Sequence, residues 1–222
     1  MLRFPFFFAL ALTACAADAS DWPHYGGDQG GSHYSPLTQI DRDNVGRLEL
    51  ARTYRTGDNA RHPERRPMAA LNVTPILLPE RAGQSLVLCS AMNRVIALDP
   101  KTGQERWVFD PEIPLGAPDS KFLCRGVAYW EDSTAQNGAV CAQRVITGTR
   151  DLRLIALDAR SGKPCDAYGR AGTVDDHAEI YDDVPNLGDN DDTFAAPPLV
   201  ICDVEVIGTA DNTKFWRADN PS

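Results

Sequence analysis

Hydrophobic positions in this chain gather in short runs instead of helical stripes. "TPILL" (74–78), "SLVLCS" (85–90), "RVIALD" (94–99), "RVITGT" (144–149), "RLIALD" (153–158), "PPLVI" (197–201) and "VEVIGT" (204–209) are rich in Val, Ile and Leu and end on Gly, Pro, Asp or Ser. Such runs predict β-strands, and the prolines suit the first residues of a strand. No helix longer than two turns is predicted after the first twenty residues. The fold class is all-β.

Two of the runs are copies. "RVIALDPKTGQERW" (94–107) aligns with "RLIALDARSGKPCD" (153–166), placing Ile96 on Ile155 with a period of 59 residues. Each copy reads as a strand ending in Asp, a turn closed by Gly103 or Gly162, and the start of a return strand. About four strands at this spacing form one blade of a β-propeller, with a β-sandwich as the alternative. Trp107 is placed to stack on the next blade; its counterpart is Asp166, so the repeat is imperfect. A ring of eight such units needs about 470 residues, and the 222 present predict the N-terminal portion of a longer protein.

Charge and targeting narrow the partners. With 22 basic and 31 acidic residues, the net charge of -9 disfavours nucleic acid and anionic lipid surfaces. Arg3 followed by "FFFALALTA" reads as an export signal too short to span a bilayer. Ala17-Asp18-Ala19 offers cleavage before Ser20, giving a signal over 1–19 and a mature chain from 20 to 222. Alternatively, Leu12-Thr13-Ala14-Cys15 resembles a lipobox that would lipidate Cys15. Both readings place the protein in the periplasm, soluble or lipid-anchored. There Cys89, Cys124, Cys141, Cys165 and Cys202 can pair with one left over. No Cys-x-x-Cys spacing supports zinc. "GGDQGG" and "SGKP" lack the spacing of dinucleotide and phosphate loops, and Asp189-Asn190-Asp191-Asp192 fails the EF-hand pattern.

"ALDPKTGQERW" resembles the repeat of the quinoproteins, the pyrroloquinoline quinone-dependent dehydrogenases. The opening "DWPHYGGDQGGSHYSPLTQIDRDNVGRLELARTYRTGD" and "CRGVAYW" are similar to the glucose/quinate branch of that family. The resemblance implies an eight-bladed propeller of which only the first blades are present, with the quinone and a Ca²⁺ or Mg²⁺ ion on its axis. It implies that the opening stretch packs across the outside of the ring, anchored by Trp22, Tyr25 and Tyr34, while His24 and His33 need no chemical role.

A tricyclic quinone with three carboxylates needs planar cationic donors, flat walls and a Lewis acid. By resemblance Arg125 points at the quinone oxygens, Gly126 lets backbone approach, and Thr149 bonds a cofactor carboxylate. Asp211 and Asn212 match oxygen ligands of the metal, although Asp-Asn is also a common turn dipeptide. Cys124 and Cys141 resemble a structural Cys pair. Asn72 and Lys121 depart from the family, which often has an acidic residue and a histidine there; Lys121 reads as a solvated loop lysine.

The implied activity is oxidation of a sugar, polyol or cyclic hydroxy acid of the glucose, quinate or shikimate type, with electrons passing to ubiquinone or a cytochrome. The catalytic base is expected from a later blade, so this chain alone is expected to be inactive. The alternative is a non-enzymatic propeller lipoprotein of outer-membrane barrel assembly, which shares the repeat.

Overall fold

Sequential strands pair with their chain neighbours to give three antiparallel meanders. The computed structural model describes residues 22–116, 120–136, 138–175, 193–194 and 196–208, and the backbone of 213–217. Strand β1 (Ala69–Leu71) stands apart, paired in parallel with β6 (Phe122–Cys124). The first sheet runs in order through β2 (Ile76–Leu77), β3 (Leu86–Cys89), β4 (Val95–Leu98) and β5 (Glu105–Phe109). The second is built from β7 (Ala128–Glu131), β8 (Gln143–Gly148), β9 (Arg153–Asp158) and β10 (Thr173–Asp175). The third joins β11 (Leu199–Ile201), β12 (Val204–Gly208) and β13 (Thr213–Arg217). The α-helix among the described residues, α1 (Asp58–Arg61), is four residues long.

Side-chain alternation explains why the strand runs are so apolar. Tyr129, Val145, Ile155 and Leu157 of the second sheet pack against Ile76, Val87, Val95 and Ala97 of the first. Their neighbours Ala128, Trp130, Ile146, Leu154 and Ala156 face the other way, onto Phe194, Val200 and Ile207. A sheet covered on both faces must be hydrophobic at odd and even positions alike. A two-sheet sandwich leaves one face of each sheet open, so this face-to-face stacking of three sheets rules that alternative out and is the packing of propeller blades.

The repeated turn has one construction in both copies. The Asp99 carboxylate accepts the backbone N–H groups of Lys101 and Thr102 at 2.9 and 2.7 Å, and Asp158 accepts that of Ser161 at 2.9 Å. Gly103 and Gly162 both close the turn at φ 70°, a left-handed conformation that favours glycine. After the turn the copies diverge. Trp107 lies on β5, whereas no return strand follows Gly162 directly: Pro164 makes a single bridge to Leu157, and β10 begins only at Thr173.

One expectation for the opening segment is corrected. The segment begins as a bridge from Trp22 to Leu77 at the free edge of β2, with backbone bonds of 3.2 and 2.8 Å, and farther on reaches the opposite edge strand β5, where the Tyr54 hydroxyl donates to Glu105 Oε1 at 2.6 Å. Of the expected anchors, Trp22 is half-buried, but Tyr34 is 72% exposed and touches no core. Its ring belongs to none of the apolar clusters formed by the described residues. Tyr25, partly exposed, stands edge-on to His33 at 6.1 Å.

The expected Cys124–Cys141 disulfide is also corrected. Cys89 pairs with Cys124, and Cys141 with Cys165, leaving Cys202 free and exposed. Cys124 ends β6 beside the end of β3, while Cys141 lies at the opposite end of the second sheet, across the length of β7, so the two cannot meet.

Candidate functional site

Because each sheet is a meander, the segment leading into its first strand and the turn between its second and third strands fall at one end. Arg125 and Gly126 precede β7, and Thr149 begins the β8–β9 turn, so the fold brings all three to the same end of the second sheet. Asn93, in the β3–β4 turn, occupies that end of the first sheet. Asp211 and Asn212 fall between Gly208 and Thr213 and lie outside the described residues, as do positions 189–192. Among the described residues no group of three or more His, Cys, Asp or Glu side chains is arranged to hold a metal.

Arg125 is exposed, and its guanidinium has no hydrogen-bond partner among the described residues. It lines a cavity of about 350 Å³ with Tyr25, Ala196, Pro197, Pro198 and Leu199. Gly126 beside it is buried: a Cβ there would lie 3.1 Å from Pro197 Cβ and 3.6 Å from Tyr25 Cδ2. A free planar cation between a tyrosine and two prolines, over a residue with no side chain, fits a flat polyanion.

Thr149 is buried, and its hydroxyl is spent inside its own turn. It donates to Asp151 Oδ1 or, at 3.2 Å, to the Arg153 carbonyl, and accepts the Arg153 backbone N–H at 3.1 Å. It is not part of the cavity wall around Arg125. Lys121 is exposed as expected, and its carbonyl accepts Arg150 Nε at 3.1 Å. Two guanidiniums flank the Phe122 ring, Arg150 at 5.3 Å and Arg65 at 5.7 Å, which adds positive charge to this end.

The residue that sequence reading missed is Asn93. It is 2% exposed with φ 58°. Its Nδ2 donates to the Leu123 carbonyl at 3.3 Å and its Oδ1 accepts the Arg150 N–H at 2.8 Å. The available signal was an Asn between two strand runs, a residue that tolerates positive φ, but its partners are 30 and 57 residues away and only the fold supplies them.

Residues 22–222 match the family model described as the PQQ glucose/ethanol/alcohol dehydrogenase β-propeller domain. The chain is 36% identical over 184 residues to the quinoprotein glucose dehydrogenase of Escherichia coli (strain K12), covering 81% of this chain and 22% of that protein. It is 35% identical over 198 residues to the glycerol dehydrogenase large subunit of Gluconobacter thailandicus, covering 88% and 26%. It is 35% identical over 173 residues to the quinate/shikimate dehydrogenase (quinone) of Acinetobacter baylyi, covering 71% and 20%. Among solved structures, the quinohemoprotein alcohol dehydrogenase of Comamonas testosteroni superposes with a TM-score of 0.63 at 25% identity, over 91% of this chain and 26% of that one. The europium-containing methanol dehydrogenase shares the fold, with a TM-score of 0.66 at 21% identity over 92% and 31%. The chain thus spans about a fifth to a quarter of the length of the curated relatives described. Its stacked meanders, its repeated Asp-turn and a match that runs from Trp22 to Ser222 lead to one conclusion: the chain belongs to the PQQ-dependent glucose/ethanol/alcohol dehydrogenase β-propeller family.

Proposed function

We propose that this chain contributes Arg125 and Gly126 to the binding site for pyrroloquinoline quinone in a dehydrogenase that oxidises a sugar, polyol or cyclic hydroxy acid. The observation that carries this is the Arg125 guanidinium, without a partner among the described residues, on an apolar-walled cavity. Its N–H groups donate in one plane to carboxylate or quinone oxygens, each charge-assisted bond contributing about 1.5–3 kcal/mol. Gly126 keeps the floor open, and Tyr25 and Pro197 give the cavity flat apolar walls beside Arg125. When bound, the quinone supplies a two-electron acceptor for oxidation of an alcohol.

Substrate and metal follow from the relatives and the residue types. The relatives' names specify glucose, glycerol and quinate or shikimate, all bearing secondary hydroxyls. Asp211 and Asn212 are the proposed oxygen ligands of Ca²⁺ or Mg²⁺, hard cations that take carboxylate and amide oxygens. For Thr149 to bond a cofactor carboxylate, its hydroxyl must leave Asp151. Ubiquinone or a cytochrome is the proposed electron acceptor, and the periplasm the proposed location. Palmitate labelling of Cys15, or a mature N-terminus at Ser20, would support export, and an intact Met1 in envelope protein would oppose it.

The deciding experiment is quinone titration followed by absorbance, comparing the native sequence with Arg125→Ala. Because Arg125 is exposed, the variant should fold, and its Kd should rise about tenfold or more. Equal affinities would remove Arg125 from the site. No binding by the native sequence would reject the cofactor reading.

A further inference from the structure

Asn93 is placed to do more than turn a hairpin. A turn asparagine normally bonds backbone two or three residues away. Here the amide leaves its own sheet, and both of its ends are used across the blade interface. The orientation of the amide is fixed by chemistry, since the Leu123 carbonyl can only accept and the Arg150 N–H can only donate. Leu123 lies two residues before Arg125, and Arg150 immediately follows Thr149.

We propose that Asn93 is a positioning residue: one buried amide of the first sheet holds the Arg125 segment and the Thr149–Arg150 turn of the second sheet at a fixed spacing. The Cys89–Cys124 bond ties the Arg125 segment covalently to the same end of the first sheet. The Thr149–Arg150 turn has no such covalent link. It is held to this framework through Asn93 and through Arg150 Nε on the Lys121 carbonyl. Losing the Asn93 amide takes a partner from the part-buried Arg150 N–H and Leu123 carbonyl, which loosens both segments together. Only Asn meets all three demands of the site. Asp accepts but cannot donate, Gly adopts the backbone but fills neither bond, and most other side chains resist φ 58°.

The clamp itself is independent of any ligand, whereas its consequence for the cofactor rests on the function proposed above. The test therefore has two arms. Amide hydrogen exchange on the intact protein should show the Arg150 N–H exchanging about tenfold faster in Asn93→Gly, as expected for one lost hydrogen bond. In Asn93→Asp, which keeps that acceptor, it should stay protected. Quinone titration should show a Kd about five- to tenfold weaker in Asn93→Gly. The same substitution should cost less than about twofold on top of Arg125→Ala, because an effect routed through Arg125 is not additive with its loss. If Asn93→Gly does not fold, Asn93→Asp serves for both arms: Arg150 protected and quinone binding weakened. Unchanged Arg150 exchange in Asn93→Gly overturns the clamp. Equal quinone losses with and without Arg125 overturn its positioning role. Absence of quinone binding in the native protein overturns the cofactor consequence, and exchange still decides the clamp.

Discussion

The indole N–H of Trp107 donates to the carbonyl of Ala159 at 3.2 Å, and the same ring lies over Gly162, where a Cβ would meet Trp107 Cε3 at 2.4 Å. The first repeat is thus docked onto the turn of the second. Two alanine variants should separate backbone from packing. Gly103 and Gly162 share φ 70°, but a Cβ at Gly103 meets only Arg52 Cδ, at 3.3 Å. Gly103→Ala should cost about 1–2 kcal/mol for its left-handed backbone. Gly162→Ala should cost distinctly more, because the indole must move, and Trp107→Ala should cost about 3 kcal/mol. Urea melts would show this ranking; equal costs at the two glycines would mean that the indole contact contributes nothing.

Cystine connectivity follows from strand positions. Peptide mapping without reduction should recover Cys89 joined to Cys124 and Cys141 joined to Cys165, with Cys202 alkylated. A Cys124–Cys141 peptide would refute the pairing. Bridging 35 residues, the Cys89–Cys124 bond should stabilise by about 4 kcal/mol, and Cys89→Ala paired with Cys124→Ala should lower the melting temperature accordingly.

Much of the fold was legible because the repeat carries its own turn chemistry. Asp99 with Gly103, and Asp158 with Gly162, announce the turn in both copies, and the strands leading into them fell where expected, whereas the return strand expected directly after Gly162 did not form. The cystine pairs and Asn93 were not legible, since they join residues whose proximity depends on how one sheet stacks on the next. Tyr34 shows the reverse error, an aromatic read as an anchor although its ring is exposed. At the site, the motif around Arg125 marked the right end of the blade, but not that the Thr149 hydroxyl is already engaged.

Where the second repeat lacks a tryptophan, Tyr168 takes over the docking. Its hydroxyl donates to Glu205 on β12 at the interface with the third sheet. Glu205 is fully buried and its Oε1 has no hydrogen-bond partner among the described residues; burial pushes its pKa up to about 7, moderated by Tyr168 and Arg144. A carboxyl with a raised folded pKa binds its proton more tightly folded than unfolded. Stability is therefore full below the unfolded value near 4.5 and falls as pH rises toward 7, by an amount on the order of 3 kcal/mol. Glu205→Gln keeps an acceptor for Tyr168 and cannot ionise. The difference in unfolding free energy between native and variant should change between pH 4.5 and 7 and flatten above; a constant difference would mean that folding does not shift the Glu205 pKa.

The outer face of the third sheet gives a prediction whose sign depends on what surrounds it. Leu199 pairs with Val206, and Ile201 with Val204, so their side chains share the face opposite to Val200, Glu205 and Ile207, which pack on the second sheet. On that face Leu199 is 38% exposed, Ile201 49% and Val204 38%. A contiguous apolar strip on a sheet face drives association unless another element covers it. If the 222 residues are expressed by themselves, Ile201→Lys should reduce self-association in sedimentation without lowering stability, since the side chain enters water. In a longer protein whose next blade covers the strip, the same lysine is buried unpaired and should destabilise by several kcal/mol. A variant that changes neither association nor stability in either setting would show that this face carries no partner, and with it the expectation of a further blade stacked on β11 and β12 would fall.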